Sequence, residues 1–252
     1  MVNEVSEMKQ VHIILCSCFI FAIVVMGEFV QNQLDNDQII YKAQVPRKVI
    51  ALTIDDGPHY KTTPEILAVL KEKQVKATFF VLGINAEHSP ALLAQEVLDG
   101  HEIGSHAYSH LALPTLTKKN IEEEFNKTEK IILSQAPQPV LFRPPGGVLN
   151  SKVAEIAKQK GYKVILWSID PHDWQRPSTE KVVDFVIKEA KPGSIVLLHD
   201  GQYPLPTAHA IGTIIDTLRK DGYEFVTISE LLQYNNEYHP SKTSIKELFD
   251  RY

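Results

Sequence analysis

Short apolar, β-branched runs alternate along this chain with stretches of helical periodicity, and that rhythm restricts the fold more than any other feature. Val49–Ile54, Ala77–Leu82, Glu102–Ser105, Val140–Phe142, Lys163–Trp167, Ser194–Leu198 and Tyr223–Val226 read as strands. Thr63–Lys73, Pro90–Leu98, Thr117–Leu133, Ser151–Lys160, Ser178–Ala190 and Ala208–Lys220 read as helices between them, with a short helix from Ser229. Thr117 is a candidate N-cap, and Gly100, Gly161 and Gly222 follow helix ends. A strand that returns through a helix joins its neighbour in parallel. About seven such units in a single domain predict an α/β fold, a distorted parallel (β/α) barrel. An open doubly wound sheet is the alternative, and no glycine-rich phosphate loop follows the first strand to support it. The 252 residues suit one sizeable domain with appendages.

The N-terminus departs from this rhythm. Gln10–Gly27 carries no formal charge and is mostly apolar, so residues 1–27 read as a signal peptide or membrane anchor, a hydrophobic helix ahead of the domain. Residues 28–45 read as a polar linker, 46–234 as the domain and 235–252 as a tail that packs as a short helix or frays. Both cysteines, Cys16 and Cys18, lie in the apolar leader, which leaves the domain without disulfides or thiolate ligands. Net charge is -5 with no basic stripe, which argues against nucleic acid as a partner. The expected protein is extracytoplasmic, anchored or secreted, touching the membrane through its leader if that is uncleaved, and monomeric.

Chemistry gathers where strands end. In α/β barrels the functional groups project from the carboxyl ends of the strands. Asp55 and Asp56 close the first strand, His106 and His110 follow the third, and Arg143 follows the fourth. Asp170 and Asp173 follow the fifth, and His199 closes the sixth. The four-residue spacing of His106 and His110 places both imidazoles on one face of a helical turn. Two imidazoles and one carboxylate with an open position describe a catalytic zinc-type site, and Asp56 lies on the same rim. Taken alone, the histidine pair is a chance spacing and Asp-Asp-Gly-Pro is only a turn. Spacing does not decide which aspartate binds the ion and which works as a base. After Arg143, Pro144 and Pro145 stiffen the chain, and Gly146 and Gly147 free main-chain N–H groups to face an oxyanion. His199 suits a general acid tuned by a carboxylate such as Asp173. Trp167 and Trp174 either wall a sugar site or belong to the core.

These segments resemble, in order and approximate spacing over residues 47–232, the polysaccharide deacetylase family, also called the NodB-homology domain or carbohydrate esterase family four. The resemblance implies Asp55 as catalytic base and Asp56, His106 and His110 as ligands of a divalent metal, zinc first and cobalt or another ion as alternatives. It implies that Arg143 positions a catalytic carboxylate, without saying which. Asp173 and Trp174 form the fourth motif, Asp173 tuning the acid. Leu197 lines an apolar acetyl pocket and His199 is the acid. Gly146 stands where many members carry an aromatic residue, which keeps the oxyanion N–H and removes an aromatic wall. The implied reaction is hydrolysis of N-acetyl groups on N-acetylglucosamine-containing glycans such as peptidoglycan or chitin-like oligomers. An acetyl xylan O-deacetylase, a non-catalytic glycan-binding module and an iron oxygenase are the rivals.

Overall fold

The computed structural model describes residues 39–238. The leader (1–27), most of the linker and the end of the tail lie outside the described residues. Eight strands are present among them: β1 (Ile39–Ile40), β2 (Val49–Asp55), β3 (Thr78–Val81), β4 (Glu102–Ser105), β5 (Leu141–Phe142), β6 (Lys163–Ile165), β7 (Ile195–His199) and β8 (Glu224–Phe225). The helices are α1 (Thr62–Glu72), α2 (Gly83–His88), α3 (Pro90–Leu98), α4 (Lys118–Ile132), α5 (Ser151–Gln159), α6 (Thr179–Glu189), α7 (Thr207–Lys220) and α8 (Ile228–Tyr238). Their starts follow local chemistry. Thr117, Asn150 and Ser178 each accept a backbone N–H of the first turn of α4, α5 and α6.

The sheet runs β1-β6-β5-β4-β3-β2-β7, with β8 added to β2, and the pairs from β2 through β7 are parallel. It closes irregularly. Beyond Ile165 the chain leaves β6, and Ile169 then bridges Val196 of β7 in parallel. The Ser168 N–H donates to Ile195 O and the Leu197 N–H to Ile169 O, so a bent segment takes the place of a regular strand at the seam. This is the distorted (β/α) barrel that the alternating pattern predicts. The expected strand to Trp167 ends at Ile165: the Leu166 N–H still donates to Ile40 O of β1, but by Ser168 the chain has turned to β7, its N–H donating to Ile195 O. Residues 40–45, read from their polarity as linker, contribute to the fold: Ala43 and Val45 are buried and Lys42 bridges Ser194.

Period-two alternation sorts each strand between two cores. Ile50, Leu52, Ile54, Val196 and Leu198 face outward onto α1, α6 and α7, where Ile66, Leu70, Val182, Ile211 and Ile214 meet them. Val49, Ala51, Phe80, Leu141, Ile165 and Ile195 fill the barrel interior. Ile228, Leu231 and Leu232 of α8 plug its lower end. Each fully buried side chain of this size contributes about 1.5–3 kcal/mol. The interior rows change character toward the top. Ala51, Thr53 and Asp55 pair in register with Ile195, Leu197 and His199, so the apolar barrel ends in a polar rim.

Candidate active site

The rim begins at Asp55 and Asp56. Alternation along a strand would send adjacent carboxylates to opposite sides. Asp56 instead adopts a left-handed φ of 77°, and β2 ends there. Asn85 Nδ2 donates to its carbonyl at 2.7 Å and holds the turn.

The two histidines converge on Asp56. Nε2 of His106 and Nε2 of His110 each lie 3.4 Å from Asp56 Oδ1. One donor atom from each of the three residues lies within 4.8 Å of the others. The expectation of a helical turn is corrected here. His106 to His110 form a loop beyond β4, and Ala107 and His110 both have positive φ, which a helix excludes. Glu124 shapes that loop. Its Oε2 accepts the N–H groups of Tyr108 and Ser109 at 3.0 and 2.9 Å, and its Oε1 accepts the Ser109 hydroxyl at 2.7 Å.

Two observations fit this triad to a cation. His106 Nδ1 donates to the Arg143 carbonyl at 2.8 Å, since that oxygen only accepts, and this leaves Nε2, the nitrogen turned to Asp56, as the one able to ligate an ion. Asp56 Oδ1 is buried and has no hydrogen-bond partner among the described residues, as an oxygen suited to a positive ion would be. Burial pushes the Asp56 carboxyl up, yet His106, His199 and His110 outweigh it and hold it at about 2. Imidazole nitrogen and carboxylate oxygen are the donor types of zinc and related divalent ions.

Arg143 lies beneath Asp55 and is fully buried. Nη1 donates to Asp55 Oδ1 and to Thr53 Oγ1, each at 2.7 Å. Nε donates to Ile165 O at 3.1 Å and Nη2 to Leu166 O at 3.0 Å. The guanidinium stacks 4.2 Å from the Phe80 ring centroid. Arg143 therefore pairs with Asp55, and the other Asp55 oxygen lies 3.8 Å from His106 Nε2.

On β7, the strand next to β2, His199 is held by Asp173. Its Oδ1 lies 2.7 Å from Nδ1, and its Oδ2 accepts the His199 N–H at 2.9 Å and the Thr207 hydroxyl at 2.6 Å. Burial lowers the His199 pKa, but Asp173, with Asp55 and Asp56 behind it, raises it to about 9. Leu197 lies one interior position below His199 and is buried. Gly146 (φ 61°) and Gly147 (φ 68°) occupy the left-handed region. A Cβ on Gly147 would meet the Trp167 ring at 2.7 Å, so Trp167 backs this turn. Trp174 is 45% exposed on the rim, edge-on to His172. Asp170 turns to its own loop and accepts the His172 N–H.

Thr53, Glu124 and Thr207 complete the constellation without having stood out in the sequence. Glu124 left a usable trace, since a charged residue shares the buried face of α4 with Ile121, Phe125 and Thr128.

Comparison with known proteins decides the family. Residues 42–165 match the family model described as polysaccharide deacetylase. The chain is 42% identical over 192 residues to a peptidoglycan-N-acetylglucosamine deacetylase of Bacillus cereus, covering 75% of this chain and 90% of that protein. The chain belongs to the polysaccharide deacetylase family. It is also 42% identical over 199 residues to the peptidoglycan-N-acetylglucosamine deacetylase PgdA of Listeria monocytogenes, spanning 76% of this chain and 41% of that longer protein. A solved peptidoglycan N-acetylglucosamine deacetylase in complex with 4-naphthalen-1-yl-N-oxidanyl-benzamide superposes with a TM-score of 0.76 at 32% identity, covering 79% of this chain and 94% of that one. The polysaccharide deacetylase fold thus extends past the matched segment to the half of the barrel that carries Asp173 and His199.

Proposed function

We infer that this chain is a divalent-metal-dependent deacetylase that removes N-acetyl groups from N-acetylglucosamine residues of peptidoglycan or chitin-like glycans, releasing acetate. The observation that carries this reading is the meeting of Asp56, His106 and His110 beside an Arg143-held Asp55 and an Asp173-held His199. Asp56, His106 and His110 would hold the ion, with zinc the best match to two imidazoles and a carboxylate. Such an ion supplies Lewis acidity toward the acetyl carbonyl.

The chain's own groups do the rest. Asp55, fixed on one side by Arg143, takes the proton from the attacking water. Water oxygen bonds to the acetyl carbon and the C–N bond breaks. His199, charged at neutral pH, gives its Nε2 proton to the departing amine while Asp173 stabilises the imidazolium. The Gly146 N–H, at the apex of a turn whose next two N–H groups go to Pro144 and Pro145 carbonyls, donates to the developing oxyanion. Leu197 offers an apolar wall to the acetyl methyl, and the exposed Trp174 a face for a sugar ring. A glycan of the cell envelope places the enzyme outside the cytoplasm, with residues 1–27 as its anchor or cleaved leader. Among the described residues no helix is long and apolar enough to cross a membrane.

The test is acetate release from peptidoglycan, chitin oligomers and acetyl xylan by the metal-loaded protein, the chelated protein and Asp55→Asn. Release from the first two that is lost on chelation, restored by zinc or cobalt, and reduced about 10²- to 10⁴-fold in Asp55→Asn is the expected result. Chelation without effect removes the metal, and an active Asp55→Asn that retains its ion removes the assigned base.

A further inference from the structure

The loops that carry Asp56 and His199 also carry a clamped lysine. Tyr60 and Tyr203, each exposed, flank Lys61, whose Nζ lies 5.7 Å from the first ring centroid and 4.7 Å from the second. An ammonium already resting over two aromatic rings has less freedom left to lose when a ligand arrives. Among the described residues no carboxylate pairs with this ammonium.

A second cation stands on the same stretch of rim. Arg176 follows Trp174 in a left-handed turn, and its Nη2 donates to Gln202 Oε1 at 3.0 Å. Gln202 in turn donates to Trp174 O at 3.0 Å, and its own carbonyl accepts the Thr62 hydroxyl at 2.5 Å. Gln202 therefore ties the Trp174 turn to the Lys61 turn. Arg176 too is without a carboxylate partner among the described residues. Two unpaired, positioned cations and three exposed aromatic rings on one side of the catalytic rim are unusual on a chain whose net charge is -5. Aromatic faces suit sugar rings, and an ammonium and a guanidinium on the same stretch of rim suit carboxylates.

We propose that Tyr60, Lys61, Trp174, Arg176 and Tyr203 form a subsite for a carboxylate-bearing sugar adjoining the N-acetylglucosamine that reacts, which selects peptidoglycan over neutral chitin-like chains. The proposal rests on the deacetylase reading above. Peptidoglycan offers this chemistry from two sources: the lactyl carboxylate of a muramoyl residue stripped of its peptide, or a carboxylate of the stem peptide.

The experiment measures acetate release from three soluble tetrasaccharides: chitotetraose, a peptide-free GlcNAc–muramoyl tetramer, and the same tetramer with its stem peptides. The proteins are wild type, Lys61→Glu and Lys61→Arg. The expected result is a KM for one or both muramoyl substrates that rises roughly two- to fivefold in Lys61→Glu, the size of an exposed ion pair. The effect shrinks in high salt. Lys61→Arg restores KM, and kinetics on chitotetraose are unchanged in both variants. The muramoyl substrate that responds identifies the source of the carboxylate. Equal losses on all three substrates, or no change on any, overturn the subsite. A wild-type protein that releases acetate from none of them overturns the deacetylase reading and the subsite with it.

Discussion

Arg143→Lys tests how the centre is held together. The substitution keeps the positive charge, so Asp55 is not left opposite an empty space. What it removes is the fork. Arg143 serves four acceptors on two strands: Thr53 Oγ1 and Asp55 Oδ1 on β2, and the carbonyls of Ile165 and Leu166 at the end of β6. A single ammonium nitrogen in this fully buried position can follow one side only. If it follows Asp55, two buried carbonyls lose their donor, at about 1–3 kcal/mol each, or about 2–6 kcal/mol together. Set against a total stability of about 5–15 kcal/mol, that is a large fraction. Those carbonyls lie where β6 bends toward its seam with β7, so the barrel closure loosens as well. Asp55 loses its fixed position, and kcat is expected to fall on the order of 10²-fold with the ion retained. Urea denaturation gives the stability, acetate release the rate, and metal analysis the occupancy. A variant within about 0.5 kcal/mol of wild type, the range of an ordinary surface change, would refute the account of Arg143 as the pin between the two strands.

Asp173→Asn removes the charge that keeps His199 protonated. The His199 pKa is raised from its usual 6.5 to about 9, so the stabilisation from its charged form is complete below 6.5 and is lost as pH climbs through 9. In the variant the alkaline limb of the kcat/KM–pH profile is expected to move down toward neutrality, and an unmoved limb would take His199 out of the acid role. Glu96 is fully buried on α3 with neither carboxylate oxygen partnered among the described residues. Burial, reinforced by Asp200, pushes its carboxyl well above the ordinary 4.5, so the neutral form favours the folded state below that value and the benefit is lost as pH rises. Thermal unfolding from pH 4.5 to 8 is expected to show a decline in the wild type that Glu96→Leu flattens. Parallel curves would remove Glu96 as its source.

What the sequence made legible follows from period. Each functional group at a strand end inherits its direction from the alternation below it. Asp55 and His199 stand opposite one another because Thr53 and Leu197, then Ala51 and Ile195, already do. Positive φ breaks that inheritance. Asp56, Ala107 and His110 all lie in the left-handed region, and none is the glycine that would signal it. The four-residue spacing of His106 and His110 therefore anticipates two imidazoles that do converge on Asp56, but through the wrong backbone. Asn85 holds the Asp56 turn, and a buried acceptor, Glu124, holds the loop that carries Ala107 and His110 by taking the Tyr108 and Ser109 groups between them. The identity of the carboxylate paired with Arg143 was hidden for a similar reason. An arginine's partner depends on how far around a barrel its side chain reaches, and Arg143 crosses from β5 to β2, two strands away from its own neighbours. Periodicity thus predicts which residues meet on the rim, whereas long buried side chains and left-handed turns decide how they face one another. The unexpected partners, Thr53, Glu124 and Thr207, are accordingly all polar groups on otherwise buried faces, where a polar atom is retained only if another group needs it.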